Sequence, residues 1–304
     1  MRCITLGVAL QDEGFSVTLL CFEVPETLID RAEQFGLVVK KRSVMQADEG
    51  LGADVLTFSN RGDVVVFDGY FFDYRAIAEV HQSDRFVVVI DDNGDLAESA
   101  SHLIVNQNLH ANKAMYCNNR YEPRLMLGCE WALIRSEVGR VRDSVQILER
   151  RGVFIAMGGT DPLEITPKIS SRLVERTGLP VVAAGGFLGG STLSPLEMAQ
   201  QMSRAQIGVI ACGTTTWEAL CLGLPIVGVV VADNQVGVAK SLRENDFGDF
   251  IDCRSEIEVE KILTRVSELL NDKFRCQYLS KRGSSLVDGQ GARRVASVIS
   301  LSLS

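Results

Sequence analysis

The sequence has few of the features that mark metal-bound, secreted or membrane-spanning proteins. Its 304 residues include 3 histidines and 8 cysteines, none of the cysteines in a C-x-x-C pair, so a structural metal is not expected. Several cysteines stand inside apolar runs, which is typical of reduced thiols in a cytoplasmic protein. No apolar run approaches the roughly 20 residues of a membrane helix, and Asp12 and Glu13 come too early for a signal peptide. No metal, cofactor or membrane insertion is therefore predicted.

Basic residues are fewer than acidic ones, and proline is scarce. The formal net charge is −8 and the isoelectric point is near 5.1, with no basic stripe, which argues against nucleic acid or an anionic membrane as a partner. With 46% apolar residues and only 7 prolines, the chain can bury a core, and it is long enough for two domains. The protein is predicted to be globular and monomeric, with a small-molecule partner.

Short β-branched runs alternate with helical segments in the first half of the chain. Strands are predicted at residues 16–22, 37–40, 63–67, 86–90 and 102–106, with helices at 25–35 and 73–81. Residues 1–14 are ambiguous, because Ile4, Leu6, Val8 and Leu10 alternate as in a strand whereas the segment ends on a glycine stop as a helix does. Between residues 108 and 135 the sequence predicts loop with one short strand near Leu125.

The second half repeats this alternation with clearer boundaries. Strands are predicted at residues 152–157, 181–184, 207–212 and 226–231, with helices at 162–177, 195–205, 234–244, 256–270, 272–281 and 291–301. This order predicts an α/β fold of two Rossmann-like domains with parallel sheets, 1–140 and 141–304, the last helix packing back on the first domain. Ligands of such sheets bind at the carboxyl ends of the strands, so the candidate site lies in the loops after residues 67, 90, 157, 212 and 231.

The loop and helix at residues 213–225 carry the clearest ligand signal. Gly213 follows an apolar strand, and Thr214, Thr215 and Thr216 open a short helix, where free N–H groups, hydroxyls and the helix dipole favour an anion. Glu218 lies one turn further on, where a carboxylate would repel phosphate but suits a pair of sugar hydroxyls. Phosphate and ribose together indicate a nucleotide. The alternative is an ordinary N-capped helix with a threonine cap and Glu218 as its solvated first-turn acid.

Two further loops of the second half could hold the same ligand. Gly158, Gly159 and Thr160 follow a strand and precede a helix, so two glycine-lined helix starts could grip one diphosphate from both sides. Asn234 and Gln235 follow another strand, and their amides can donate to sugar hydroxyls and accept from them. The alternatives are plain turns in which the aspartate at 161 or at 233 caps the following helix.

Polar residues also end the strands of the first half. Asp68 and Tyr70 follow a buried strand with a carboxylate and a phenol, a placement that is costly in a core but not in a cleft. Residues 91–94 are likewise polar and follow the next predicted strand. Both segments are also compatible with ordinary turns. His81, His102 and His110 are the only imidazoles, and structural roles are expected for all three. The residues therefore offer no obvious general base.

Several of these motifs occur together in one known family. The segments 157–162, 213–225, 232–235 and 288–294, together with residues 1–3, resemble the nucleotide-sugar hydrolases of pseudaminic acid biosynthesis and their spore-coat polysaccharide relatives in the GT-B superfamily. The resemblance implies that the second domain holds UDP, with residues 213–216 as the phosphate loop and Glu218 on the ribose hydroxyls. It also implies that Asn234 and Gln235 face the sugar. Arg2, Asp68 and Tyr70 are assigned to the substrate on the side of the first domain.

The reaction that the resemblance implies is hydrolysis at the anomeric carbon of UDP-2,4-diacetamido-2,4,6-trideoxy-β-L-altropyranose. It releases UDP and the free sugar, needs no metal, and would serve pseudaminic acid or surface-polysaccharide biosynthesis and flagellin glycosylation. A GT-B glycosyltransferase that uses a UDP-sugar and a non-catalytic UDP-sugar-binding protein are the alternatives.

Two departures from the family pattern bear on activity. The family has a strand and then Gly-x-Gly-His-x-Met-Arg-Cys, whose histidine activates water, and this sequence begins at the Met of that pattern. The catalytic histidine and the first strand of the N-terminal domain are therefore expected to be absent, and residues 1–13 are expected to form a helix. No catalytic residue is assigned, and a chain without that histidine would lack the family's base. Glu164 stands where relatives usually have Asn, which leaves room for a different sugar.

Overall fold

The computed structural model describes residues 1–21, 24–42, 50–70, 72–144, 150–158, 161, 163–185 and 193–303. The chain separates into two compact units, one made of Met1–Leu133 with Gln290–Ser304 and the other of Ile134–Gly289. The predicted division after residue 140 falls inside a helix, Ser136–Ser144, that lies wholly in the second unit. Arg142 on this helix donates to backbone carbonyls of the same unit, which ties the helix there; the acceptors belong to Cys221, Ser284 and Val287.

The first unit has two parallel sheets. Its strands are β1 (Thr18–Cys21), β2 (Val38–Lys41), β3 (Val64–Asp68), β4 (Phe86–Ile90), β5 (Leu103–Asn106) and β6 (Arg124–Leu127). β1 pairs with β2, and the four remaining strands pair in the order β3-β4-β5-β6. Its helices are α1 (Arg2–Asp12), α2 (Glu26–Gln34), α3 (Leu51–Phe58), α4 (Tyr74–Gln82) and the C-terminal α12 (Gly291–Leu303). The short strand predicted near residue 125 is confirmed as β6.

Residues at the start of the chain form helix α1, as the family resemblance implied. Ile4 packs in a cluster with Ala32 and Leu37, whereas Leu6, at a different angle around the helix, packs in a cluster that contains Val295 of α12. The apolar residues that alternate in the sequence therefore cover two faces of one helix, each with its own partners. Because apolar residues on two faces of a helix can fall at every second position, the sequence pattern of residues 4–10 also resembled that of a strand.

The second unit has one five-stranded parallel sheet in the order β11-β10-β9-β7-β8. Its strands are β7 (Val153–Ala156), β8 (Val181–Ala184), β9 (Ile207–Ala211), β10 (Ile226–Val230) and β11 (Asp249–Asp252). Its helices are α5 (Ser136–Ser144), α6 (Ile165–Thr177), α7 (Pro195–Arg204), α8 (Thr214–Cys221), α9 (Val236–Glu244), α10 (Val259–Asn271) and α11 (Lys273–Leu286). Every residue of β9 and β10 is buried, as their uninterrupted apolar sequences require.

The strand order of the second unit positions the candidate site. β9 lies between β7 and β10, and all three run in the same direction. Their carboxyl ends therefore meet at one edge of the sheet, where the loops after residues 156, 211 and 230 begin. These are three of the loops to which the sequence assigned a ligand.

Candidate functional site

Helix α8 begins directly after the Gly213 turn and leaves two backbone donors open. Among the described residues, the N–H groups of Thr214 and Thr215 donate to no backbone carbonyl, and both residues are only half-buried. Thr216 differs, because it is buried and its hydroxyl donates to the carbonyl of Ala211 at 3.2 Å. The anion seat predicted at 213–216 thus consists of two amides and two hydroxyls at a helix N-terminus, and Thr216 supports the turn instead.

Glu218 on the same helix has a guanidinium partner that the sequence did not indicate. Nε of Arg135 donates to Oε1 of Glu218 at 2.5 Å, and Nη2 of Arg135 donates to Oε2. The two side chains are only 11% and 4% exposed. Burial alone would lower the pKa of Arg135, but the charge of Glu218 and its hydrogen bonds raise it, so the guanidinium stays charged. The expectation of a solvated first-turn acid is therefore wrong.

Two more arginines hold the opposite end of α8. Arg142 donates to the carbonyl of Cys221 at 2.7 Å, and Arg150 donates to the carbonyls of Leu222 and Gly223. Burial lowers the pKa of Arg150. These groups satisfy the last carbonyls of the helix, where its dipole favours a cation. Helix α8 is thus secured at its carboxyl end and left open at its amino end.

The second predicted helix start is already occupied by a side chain. The carboxylate of Asp161 accepts from the N–H groups of Ile165 at 3.0 Å and Thr166 at 2.9 Å, at the beginning of α6. Gly158 is exposed and adopts a φ of +87°, which favours glycine. The predicted contacts of Gly159 and Thr160 lie outside the described residues. Because Asp161 already fills this helix start, as the alternative capping role required, a grip on one diphosphate by both helices is not supported.

The loop after β10 contains the predicted pair Asn234 and Gln235. Oε1 of Gln235 accepts from the N–H of Val231 at 2.9 Å, whereas Asn234 is exposed. Asp233 does not cap a helix as expected, because its carboxylate pairs with Arg254 at 2.5 Å. Oε1 of Gln235 is thus used within the loop, and the ligand contacts of Asn234 and Gln235 stay predictions.

Arg2 and Asp68 belong to a charged cluster at the carboxyl edge of the β3-β4-β5 sheet. Arg2 bonds to Asp68 through Nη2 at 2.5 Å and to both oxygens of Asp92 through Nη1, at 2.6 and 2.7 Å. Asp92 also accepts from the hydroxyl of Tyr70 at 2.7 Å and from the amide of Asn108 at 3.2 Å. The structure therefore brings the three predicted residues together around Asp92, which the sequence had assigned equally to a turn.

The carboxylates of this cluster keep the Arg2 guanidinium charged. Burial opposes the charge of Arg2, but Asp68 and Asp92 raise its pKa above the ordinary value. Burial and the neighbouring Asp68 raise the pKa of the Cys3 thiol, which donates to Asp68 at 3.2 Å. One guanidinium against two carboxylates leaves a net negative cluster that can accept hydrogen bonds from hydroxyl or amide groups.

Two of the histidines lie away from these groups. The rings of His81 and His102 stack with centroids 4.4 Å apart, and Nδ1 of His102 accepts from the N–H of Val87, near the start of β4. Burial, and then His81, lowers the pKa of His102. His110 is half-buried near Asp92, and burial lowers its pKa as well. The expected structural roles therefore fit His81 and His102.

Comparisons with known proteins define the class of the fold. No family model matches the chain. MnaA of S. aureus in complex with UDP has a TM-score of 0.68 at 13% identity over 99% of this chain and 93% of that one. The calicheamicin glycosyltransferase CalG4 has a TM-score of 0.60 at 14% identity over 99% and 94%. The predicted α/β fold of two Rossmann-like domains of the GT-B class is confirmed.

One curated protein also resembles this chain in sequence. The spore coat polysaccharide biosynthesis protein SpsG of Bacillus subtilis (strain 168) is 23% identical over 171 residues, which is 49% of this chain and 50% of SpsG. The match thus spans about half the length of this curated relative. The predicted resemblance to the spore-coat polysaccharide protein SpsG is confirmed over that stretch. Among the described residues, no helix is long and apolar enough to cross a membrane, and no group of three potential metal ligands occurs.

Proposed function

We propose that the chain binds a UDP-linked sugar and hydrolyses it at the anomeric carbon, releasing UDP and the free sugar for pseudaminic acid or surface-polysaccharide biosynthesis. The observation that carries this proposal is the pairing, on one helix, of an open amino terminus and a fixed carboxylate one turn later. Thr214 and Thr215 supply the donors, and Glu218 supplies the acceptor. These two groups lie about one helical turn, or 5.4 Å, apart along the axis, and they suit the phosphate and the hydroxyl groups of a nucleotide.

The open donors of α8 would act on the leaving group. When the bond between the anomeric carbon and the diphosphate breaks, negative charge grows on the diphosphate oxygens. The N–H groups of Thr214 and Thr215 and the positive end of the helix dipole would stabilise that charge. The arginines at the other end hold the helix in place through hydrogen bonds to carbonyls, so the donors need little rearrangement.

The cluster around Asp92 is proposed to contact the sugar. Its carboxylates, with the phenol of Tyr70, can accept from sugar hydroxyls or from the N–H groups of acetamido substituents. Asn234 and Gln235 would add amide contacts. The protein is further proposed to act in the cytoplasm as a monomer. One solved neighbour, MnaA, has a structure with UDP, which supports the choice of nucleotide.

Glu218→Gln tests the ribose contact. The amide keeps the size of the side chain and one acceptor for Arg135, but it loses the charge, so UDP affinity is expected to fall by about 1–3 kcal/mol. Isothermal titration calorimetry with UDP measures this change. The matched control is Glu260→Gln, an exposed glutamate of α10 that pairs with Arg172 and Arg176, and its UDP affinity is expected to match the wild type. Equal affinity of the Glu218 variant would refute the ribose assignment.

The reaction is tested by incubating the chain with the UDP-linked diacetamido sugar and with UDP-N-acetylglucosamine. UDP release in water alone is the expected result. If UDP is released only when an acceptor alcohol is present, the protein is a glycosyltransferase and the proposal of hydrolysis is wrong. UDP binding without release would indicate a binding protein, and absence of UDP binding would refute the nucleotide assignment altogether.

A further inference from the structure

The pair formed by Arg135 and Glu218 has a geometry that restricts the carboxylate. Two nitrogens on one edge of the guanidinium, Nε and Nη2, donate to the two oxygens of Glu218. This side-by-side contact holds the two planar groups in a common orientation. Nη2 of Arg135 also contacts Sδ of Met198 at 3.5 Å, which fixes the guanidinium from α7. Glu218 is therefore held in one orientation instead of rotating about its last side-chain bond.

The pair still leaves Glu218 able to bind a ligand. Each carboxylate oxygen can accept two hydrogen bonds, and Arg135 uses one on each. Nη1 of Arg135 donates to no side chain or carbonyl in the part of the chain that the structure describes. The pair can thus accept a hydroxyl on the carboxylate and keeps one unused donor group beside it.

Stability alone is a weak reason for this pair. Removing two charges from water costs several kcal/mol per ion, and well-packed apolar residues often replace such pairs without loss. The remaining contacts of α8 already secure it, because Trp217 and Leu220 are buried to 1% exposure and two arginines hold its carboxyl end. The carboxylate of Glu218, held in one orientation near the N–H groups of Thr214 and Thr215, instead suits a ligand that carries both hydroxyl and phosphate groups.

We propose that Arg135 is a positioning residue that orients Glu218 toward a ribose hydroxyl and so makes the site selective for ribonucleoside over deoxyribonucleoside diphosphates. The inference rests on the proposed function, since it assumes that UDP occupies the start of α8. An acceptor that cannot rotate accepts well from a hydroxyl at one position only. An analogue without that hydroxyl leaves the buried lone pair unmatched and binds more weakly.

The test measures affinities for UDP, 2′-deoxy-UDP, 3′-deoxy-UDP and inorganic pyrophosphate by calorimetry. The variants are Arg135→Lys, which keeps a charge but not the fork, and Arg135→Met, which keeps only the length. The wild type is expected to prefer UDP over one of the two deoxy analogues by about tenfold or more. Both variants are expected to reduce that preference to less than about threefold. Their affinity for pyrophosphate, which has no ribose, is expected to remain unchanged.

Arg150→Met is the matched control, because Arg150 is a partly buried arginine that also contacts the α8 segment but donates to carbonyls at its far end. Its thermal stability is expected to fall while its preference for UDP stays at the wild-type value. If both Arg135 variants prefer UDP over the deoxy analogue as strongly as the wild type does, the inference about Arg135 is wrong, while the proposed UDP site still stands. A parallel loss of pyrophosphate affinity would show that Arg135 only supports the helix and would also overturn it. A wild type that binds no UDP would overturn both proposals.

Discussion

Gly213 offers the sharpest test of the anion seat, because neither its conformation nor its packing requires a glycine. Its φ is −117° and its ψ is −154°, which any residue can adopt. A Cβ built there meets no atom of the described residues within 4 Å. Thr214 and Thr215, whose N–H groups donate to no backbone carbonyl of the described residues, follow directly in the sequence. Glycine is also a favoured N-cap residue, and the space left by its missing side chain would in addition allow a ligand to approach the backbone closely.

Gly213→Ala is thus expected to leave stability almost unchanged. Loss of glycine from the unfolded chain stabilises by about 0.4–1 kcal/mol. Alanine is a poorer residue than glycine at a helix N-cap, by up to about 1 kcal/mol, which offsets this gain. UDP affinity should respond differently. The methyl group would displace a diphosphate oxygen from a charge-assisted contact worth about 1.5–3 kcal/mol, so UDP should bind about ten- to a hundredfold more weakly.

Thermal unfolding and calorimetry with UDP on the same preparation check both halves of this prediction. Gly208→Ala is the comparison, because its Cβ would lie 2.8 Å from Cδ2 of Leu224 inside the sheet core. Overpacking there should cost about 1–3 kcal/mol of stability while the folded protein keeps its UDP affinity. An unchanged UDP affinity in a folded Gly213→Ala variant would refute the phosphate seat at α8.

Two further predictions concern stability. Asp161→Ala should lower the free energy of unfolding by about 1–2 kcal/mol in urea, because two N–H groups of α6 lose their acceptor, and UDP affinity should persist. Burial lowers the pKa of His102 from its ordinary 6.5, so the unfolded state binds the proton more readily and stability falls as the pH drops through 6.5 and below. His102→Asn, which keeps an acceptor for Val87, should lose less stability between pH 7.5 and 5.5.

Each of these two predictions has a clear opposing result. Unfolding curves of Asp161→Ala that superimpose on the wild type would show that the carboxylate does not support α6. A pH dependence of His102→Asn identical to that of the wild type would assign acid sensitivity to other groups, among them His110, whose pKa burial also lowers.

Four of the five strands in the sheet of the second unit were predictable, because their signal is local. β9 and β10 are uninterrupted apolar runs bounded by glycine and proline, and the structure places strands at both. β11 was missed, since its sequence Asp249–Asp252 has a charged residue at each end and only two apolar residues between them. Helix α3 was missed as well, and its segment carried no cap or period that separates a helix from a loop.

For the candidate site, the sequence by itself determined which residues stand at the ends of strands and at the start of α8. Those positions depend on apolar runs, glycine turns and helix starts, which are features of neighbouring residues. Only the tertiary structure decided which charges pair. Arg135 lies 83 residues from Glu218, and Arg2 lies 90 residues from Asp92. Such partners are set by the order of the strands and by the packing of helices on them, because a buried charge requires a counter-charge close in space rather than along the chain.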